Sequence, residues 1–293
     1  MKILLTGGSG LLGQYLNIEL SKNYEIKTIY NNHLGNCSEF QSAKVDLKNF
    51  DLLEKTISDF SPDLVIHTAA ISSTILDNSL DSKDVYQVNV SVTKKLAELC
   101  DKYSAKLFYL STDLVYAGYR GSMLLETAKL IPISIYAETK LMGEIKIQET
   151  FDNFVILRTA LLYGFGLNHS TNHFQKMFDD LKQNKNVKLF TDQFRTPISL
   201  LDASRVISQL IKINLKSEII NFGGIERLSR YELGEKLCDI AKLDKSLLVK
   251  IKLDDLPELP KVEDVSMNTD KLVNLGIKRY SVEESISEII SQN

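Results

Sequence analysis

Cysteine is scarce in this chain of 293 residues: Cys37, Cys100 and Cys238 stand far apart and are odd in number. They show neither zinc-ligand spacing nor a disulfide framework, and the four histidines do not cluster with them. A structural metal centre and a disulfide scaffold are therefore poor readings, and a reducing compartment is the default. Excess positive charge is also missing, with 35 Lys and Arg against 38 Asp and Glu and a net charge of −3. Without a basic cluster, nucleic acid is excluded as the expected partner. No apolar run approaches the roughly 18 residues that a bilayer crossing needs. No leader is read ahead of the first strand, so the tripeptides Asn36-Cys-Ser38, Asn89-Val-Ser91 and Asn168-His-Ser170 match the glycosylation pattern by chance. The expected location is the cytoplasm, with no membrane partner. Repeats and low-complexity stretches are absent too.

What is present has ordinary globular proportions, 44% hydrophobic and 25% charged, enough for one large α/β domain with a smaller lobe. The informative stretch is the first thirteen residues. Lys2–Thr6 reads as a short buried strand and Leu11–Leu20 as a helix, with Gly7, Gly8, Gly10 and Gly13 between and just after them. Glycines alone are weak evidence, since any turn collects them. Directly behind an apolar strand they form a dinucleotide-binding turn. Gly7 takes the tight bend, Gly10 lets a pyrophosphate approach the backbone, and Gly13 allows close helix packing. The N–H groups of the first helical turn, Leu11 and Leu12 among them, face the phosphates.

Strands alternate with helices after this turn. Strands are expected at Glu25–Tyr30, Ala43–Asp46, Leu64–His67, Lys106–Leu110 and Phe154–Arg158, and helices at Phe50–Phe60, Asp84–Tyr103 and Ile135–Thr150. This rhythm predicts a Rossmann-type, doubly wound parallel sheet covered on both faces. Past residue 160 come predicted helices at Phe174–Gln183, Asp202–Ile213, Ser229–Lys242 and Ser281–Ser291, with short strands near Val187–Phe190 and Ser217–Phe222. Leu253–Lys261, holding Pro257 and Pro260, reads as a surface loop. Residues 1–165 are expected to form the dinucleotide-binding part, completed by parts of 200–225. Residues 166–293 are expected to form most of an interleaved substrate lobe.

Two further constellations carry chemistry. In Tyr136-Ala-Glu-Thr-Lys140 the phenol and ammonium lie one helical turn apart on one face. A fixed positive charge there favours phenolate and is expected to lower the tyrosine pKa, which makes Tyr136 a proton donor for a carbonyl becoming an alcohol. Such a pair is usually a solvated one; its place after the fifth strand of a dinucleotide fold makes it a catalytic candidate. Leu110-Ser-Thr-Asp113 leaves the C-terminal end of a strand, where α/β sheets bind ligands. Hydroxyls of Ser111 and Thr112 can point at a substrate oxygen there, against the plainer reading of a Ser/Thr turn. Asn89 reads either as a satisfied buried amide or as part of a proton relay.

With these residues quoted, the chain resembles the extended short-chain dehydrogenase/reductases, in the group that includes dTDP-4-dehydrorhamnose reductase. The resemblance runs through Thr6-Gly-Gly-Ser-Gly-Leu-Leu-Gly13, Val45-Asp46-Leu47, Ser61-Pro-Asp63, His67-Thr-Ala-Ala70 and Val88-Asn89. It continues through Leu110-Ser-Thr-Asp113, Glu126, Pro132, Tyr136, Thr139-Lys-Leu-Met-Gly-Glu144, Leu157-Arg-Thr159, Leu162-Tyr-Gly164, Asp192-Gln193 and Thr196-Pro197. It implies an NAD(P)H-dependent reductase of a nucleotide-activated 4-keto-6-deoxy sugar. Tyr136 would be the general acid, with Lys140 binding the nicotinamide ribose and holding the tyrosine pKa down. Thr112 would polarise the substrate carbonyl, with Ser111 its neighbour. Asp46 and Leu47 would meet the adenine, Ala69 and Ala70 would line the cofactor channel, and Asn89 would belong to the same site. Arg195 falls at a phosphate-binding position of related nucleotide-sugar enzymes, although a surface salt bridge is an equal reading.

Three positions depart from the pattern. Tyr136 is followed by Ala137 rather than glycine, Gln193 by Phe194 rather than glycine, and Pro260 is preceded by Leu259 rather than arginine. Behind the second strand, Tyr30-Asn-Asn-His33 offers neither the carboxylate that suits NADH nor an arginine for NADPH. NADPH is the preferred cofactor, with NADH open, and a homodimer is compatible with the sequence. Rival readings are an epimerase or dehydratase using the cofactor transiently, and a non-catalytic cofactor-binding subunit resembling the regulatory subunit of methionine adenosyltransferase.

Overall fold

The computed structural model describes residues 1–72, 81–257 and 260–292. The chain begins with β1 (Lys2–Thr6), α1 (Leu11–Ser21), β2 (Glu25–Tyr30), β3 (Gln41–Lys44), α2 (Phe50–Phe60) and β4 (Leu64–His67). It continues through α3 (Ser82–Tyr86), α4 (Val92–Lys102), β5 (Lys106–Thr112), α5 (Ile135–Thr150) and β6 (Phe154–Thr159). Next come β7 (Leu162–Tyr163), α6 (His173–Lys182), β8 (Val187–Phe190), β9 (Phe194–Arg195), β10 (Ile198–Ser199) and α7 (Leu200–Leu210). β11 (Glu218–Phe222), β12 (Leu228–Ser229), α8 (Arg230–Ala241), β13 (Leu248–Ile251), α9 (Asp270–Asn274) and α10 (Val282–Ser291) end it.

Seven strands form one sheet in the order β11-β6-β5-β4-β1-β2-β3, and every pairing in it is parallel. Both faces are covered, which explains near-continuous apolar strands such as Ile3-Leu4-Leu5 and Leu64-Val65-Ile66. One face packs on Leu12, Leu16 and Leu20 of α1, Val206 and Ile207 of α7, and Leu272 of α9. The other packs on Leu53 and Ile57 of α2, Leu96 of α4 and Ile147 of α5. A separate core gathers Phe174 and Phe178 of α6, Leu233 and Leu237 of α8, and Ile286 of α10. The strand order turns between β1 and β4, so a crevice opens at their C-terminal ends.

Two expectations shift. The third strand is Gln41–Lys44, two residues earlier than the predicted Ala43–Asp46, because its ladder with β2 stops at the pair Tyr30–Lys44. Val45 then turns into the core, while Asp46 stands exposed behind the strand. The predicted single helix at Asp84–Tyr103 is α3 and α4 joined by a π-helical turn, Gln87–Ser91, with Asn89 at its middle. Such turns widen a helix by one residue and re-aim the side chains on it. A capping box at Ser229 and Glu232 starts α8 where the sequence places it.

Helix α5 buries an unusual face that includes Thr139, Lys140 and Glu144. Polar bonds hold it. Glu144 takes the guanidinium of Arg158 on β6 at 2.8 Å and the hydroxyl of Ser111 on β5 at 2.5 Å. Arg158 also donates to the Tyr116 hydroxyl at 2.9 Å and the Glu126 carbonyl at 2.8 Å. The Tyr116 hydroxyl donates to Asn221 of β11 at 2.6 Å, and the Asn221 backbone donates to the Glu126 carboxylate at 3.0 Å. Breaking such a pair by removing one partner strands a charge in the interior. Arg158→Met is expected to lower the unfolding free energy by about 3–5 kcal/mol, read from urea melts; a loss below about 1 kcal/mol would contradict this account.

Candidate active site

The glycine turn is built by contact as well as by conformation. Gly7 has φ +72°, and a methyl group there would lie 2.7 Å from the Ala69 nitrogen, so the turn is packed against the segment leaving β4. A methyl on Gly13 would lie 2.1 Å from the Gly7 carbonyl oxygen; α1 is seated on the loop backbone itself. Gly10 is the N-cap, and no side chain caps the helix. The N–H groups of the first turn, at Leu11 and Leu12, are thus presented toward an anion. This backbone cradle fits a pyrophosphate.

The cleft next to it has a volume of about 470 Å³, and Gly10, Leu11, Leu12 and Gly13 line it together with Ala70. Thr112, Tyr136 and Lys140 line the same cleft, as do Asp113, Arg195 and Arg230. The fold therefore brings residues from β5, α5, β9 and α8 to the crevice beside the glycine turn. Gly7, Asp46, Leu47, Ala69 and Asn89 lie outside its walls. Asp46 follows β3 with its carboxylate accepting from the Lys48 backbone at 3.0 Å, and Leu47 is buried in the core.

Asn89 is a fully bonded amide. Its oxygen accepts from the Ile71 nitrogen at 2.9 Å, and its nitrogen donates to the Ile71 carbonyl and the Thr139 hydroxyl, both at 3.0 Å. It ties the segment after β4 to α5, as the reading of a satisfied buried amide expects. His67 is likewise structural, held between Thr6 at 2.7 Å and Thr93 at 3.1 Å. Burial, aided by the Lys140 charge, takes it down to about 3.

Ser111 lines the same cleft, with its hydroxyl donating to Glu144 at 2.5 Å. Thr112 stands beside it: its hydroxyl accepts from the Leu114 backbone at 3.2 Å and donates to Asp113 at 3.3 Å.

The electrostatics correct one expectation. Tyr136 is pushed up to about 12, first by burial and then by the Asp113 charge, with a hydrogen bond from Thr112 acting the other way. Lys140 itself is drawn down to about 7 by burial against the opposing charge of Glu144. Its ammonium lies 4.0 Å from the centroid of the Tyr109 ring. In the protein alone, Tyr136 stays protonated across the neutral range rather than being activated as phenolate.

Arg195 is no surface salt-bridge residue. It is buried, 3.4 Å from the Asp113 carboxylate, and donates to the Phe194 carbonyl at 2.9 Å. Asp113 is raised chiefly by burial, with Arg195 opposing, and its Oδ2 makes no hydrogen bond. Arg230 was not singled out from the sequence. It lies at the start of α8, donates to Gln193 at 3.2 Å, and is brought down to about 10 by burial and by the Arg195 charge. A cation in the first turn of a helix opposes the helix dipole, and that local misfit was the available signal. Of the three departures, Ala137 is buried without disturbing α5. Phe194 carries the Arg227 guanidinium 3.6 Å from its ring centroid. Leu259 lies outside the described residues.

The model of the RmlD substrate binding domain family matches residues 1–293. The chain belongs to that family. Its relatives include dTDP-4-dehydrorhamnose reductase of Aggregatibacter actinomycetemcomitans, 27% identical over 84% of this chain and 81% of the relative. Another is methionine adenosyltransferase 2 subunit beta of Pongo abelii, 27% identical over 97% of this chain and 87% of the relative. Among solved structures, dTDP-4-dehydrorhamnose reductase from Bacillus anthracis in complex with NADP superposes with TM-score 0.86 at 22% identity, covering 100% of this chain and 99% of that one. UDP-glucose 4-epimerase from Thermotoga maritima does so with TM-score 0.84 at 20% identity, covering 100% and 99%. These likenesses establish the shared fold.

The lysine makes a pH prediction. Its folded value of about 7 lies below its ordinary 10.5, so between them the unfolded chain holds a proton that the folded chain lacks. Stability from this site therefore rises with pH across that window. In urea melts at about pH 7, 8 and 9, the wild type is expected to gain steadily over Lys140→Met; a constant difference would refute the assignment.

Proposed function

We propose that this RmlD-family protein is an NADPH-dependent reductase of a nucleotide-activated 4-keto-6-deoxy sugar, with NADH a possible substitute. The observation that carries this reading is the convergence of Thr112, Tyr136 and Lys140 on one cleft with the uncapped N-terminus of α1. The backbone at Gly10–Gly13 would hold the pyrophosphate, and Ala70 and Lys140 would border the nicotinamide riboside. The dinucleotide supplies a hydride when bound.

The chain's own residues account for the rest of the reaction. Tyr136, protonated at neutral pH, hands its hydroxyl proton to the carbonyl oxygen as that carbon is reduced to the alcohol. Thr112 donates a hydrogen bond to the same oxygen and stabilises the charge that develops on it. A cationic Lys140 favours the transient phenolate, which regains its proton from solvent. Two guanidiniums, Arg195 and Arg230, against the single carboxylate Asp113 leave a positive surplus suited to a sugar-nucleotide diphosphate. In this reading residues 166–293 supply most of the substrate lobe, interleaved with the sheet.

A second reading, a cofactor-binding regulatory subunit, is favoured by the similarity to methionine adenosyltransferase 2 subunit beta over 97% of this chain. Oxidation of NADPH across a small panel of nucleotide keto-sugars separates the readings. A reductase consumes cofactor stoichiometrically, an epimerase or dehydratase does not, and a regulatory subunit turns over none. Tyr136→Phe is expected to abolish turnover while leaving cofactor affinity within about threefold, since the phenol acts in the transition state. Full activity in that variant would overturn the assignment.

A further inference from the structure

The end of β2 lacks both usual ribose-recognition groups, a carboxylate for a 2′-hydroxyl and an arginine for a 2′-phosphate. Asn31, Asn32 and His33 follow Tyr30 instead. The fold brings a second imidazole to this place from beyond β7. The rings of His33 and His169 are stacked, with centroids 4.4 Å apart and planes at 25°, and both residues are exposed.

Their meeting is fixed by bonds to rigid elements. Gln14 of α1, fully buried, donates to the Leu167 carbonyl and the Ser170 hydroxyl, both at 2.9 Å. The Gln14 oxygen accepts from the Asn168 side chain at 2.7 Å and from the Asn36 backbone at 3.1 Å. The Tyr15 hydroxyl donates to the Phe165 carbonyl at 2.7 Å. Ser170 reaches the Ser9 carbonyl at 3.5 Å, so the segment carrying His169 lies against the glycine turn. Burial and the His33 charge hold His169 below its ordinary range, and no carboxylate stands among the causes. The pair is short of negative charge and rich in N–H donors, beside the position where a Rossmann fold places the adenosine ribose.

We infer that His33 and His169 together recognise a phosphomonoester, the 2′-phosphate of an adenine dinucleotide, so that chain from beyond β7 supplies half of the cofactor-discriminating site. The inference rests on the dinucleotide reading of the cleft. A dianionic phosphate accepts from both imidazoles and favours their protonated forms, which relieves the repulsion between stacked cations. A cofactor ending in a 2′-hydroxyl offers neither benefit.

Calorimetric titration of the full chain with 2′,5′-ADP, 5′-AMP, NADP+ and NAD+ tests this directly. The phosphorylated member of each pair is expected to bind about tenfold more tightly, the scale of a charge-assisted hydrogen bond. His33→Ala and His169→Ala are each expected to cut that ratio severalfold with 5′-AMP affinity unchanged, and the double variant to bring it near one. A ratio untouched by either change, or an equal loss for 5′-AMP and 2′,5′-ADP, would overturn the inference. So would histidine-dependent binding of inorganic phosphate that leaves 2′,5′-ADP affinity intact. Equal binding of 2′,5′-ADP and 5′-AMP rejects the histidine site alone; failure of all four ligands to bind rejects it together with the dinucleotide reading beneath it.

Discussion

The pairing of Glu144 with Arg158 inside the protein is the interaction on which the arrangement of the cleft depends. A carboxylate with its side chain fully shielded is tolerable only when its oxygens are occupied, and here Arg158 and Ser111 occupy them. The consequence is mechanical. Helix α5, with Tyr136 and Lys140 in its first turns, is locked to β5 and β6. Through Tyr116, Glu126 and Asn221 the same network reaches β11. An apolar face could have packed α5 with equal stability, but with less control over rotation about its axis. The orientation of the phenol thus traces back to bonds made two turns further along the helix.

Burial dominates the charges in the cleft. Lys140 loses much of its charge because water is excluded from it, and Tyr136 keeps its proton for the same reason. Asp113 and Arg195 partly compensate each other, while Arg230, held by Gln193, adds a further cation. The pocket therefore holds a surplus of positive charge beside a phenol that keeps its proton. Both properties come from desolvation acting on particular residues rather than from the net charge of the chain, which is −3.

Much of the fold was legible because its signals are local. A buried parallel strand is apolar along its length, and β1 and β4 have the limits the sequence predicts; so does β2, which is buried only in part. Helices α2 and α5 do as well. The edge strand β3 was misplaced by two residues, since an edge is defined by where its single neighbour stops pairing rather than by its own composition. The π-helical turn at Asn89 escaped notice because it has no signature of its own. It is recognisable only through the partners, Ile71 and Thr139, that draw the amide inward.

Among site residues the same division holds. The sequence by itself determined the strand–glycine–helix turn, the one-turn spacing of Tyr136 and Lys140, and the exit of Thr112 from a strand end. These follow from backbone sterics and helical periodicity, which act over a few residues. Tertiary structure alone decided that Ser111 serves Glu144, that burial sets the resting protonation of Tyr136 and Lys140, and that Arg230 joins Arg195. It also set His169 against His33. Each of these outcomes depends on which distant groups exclude water from a side chain or accept its hydrogen bond, and spacing along the chain carries no record of that.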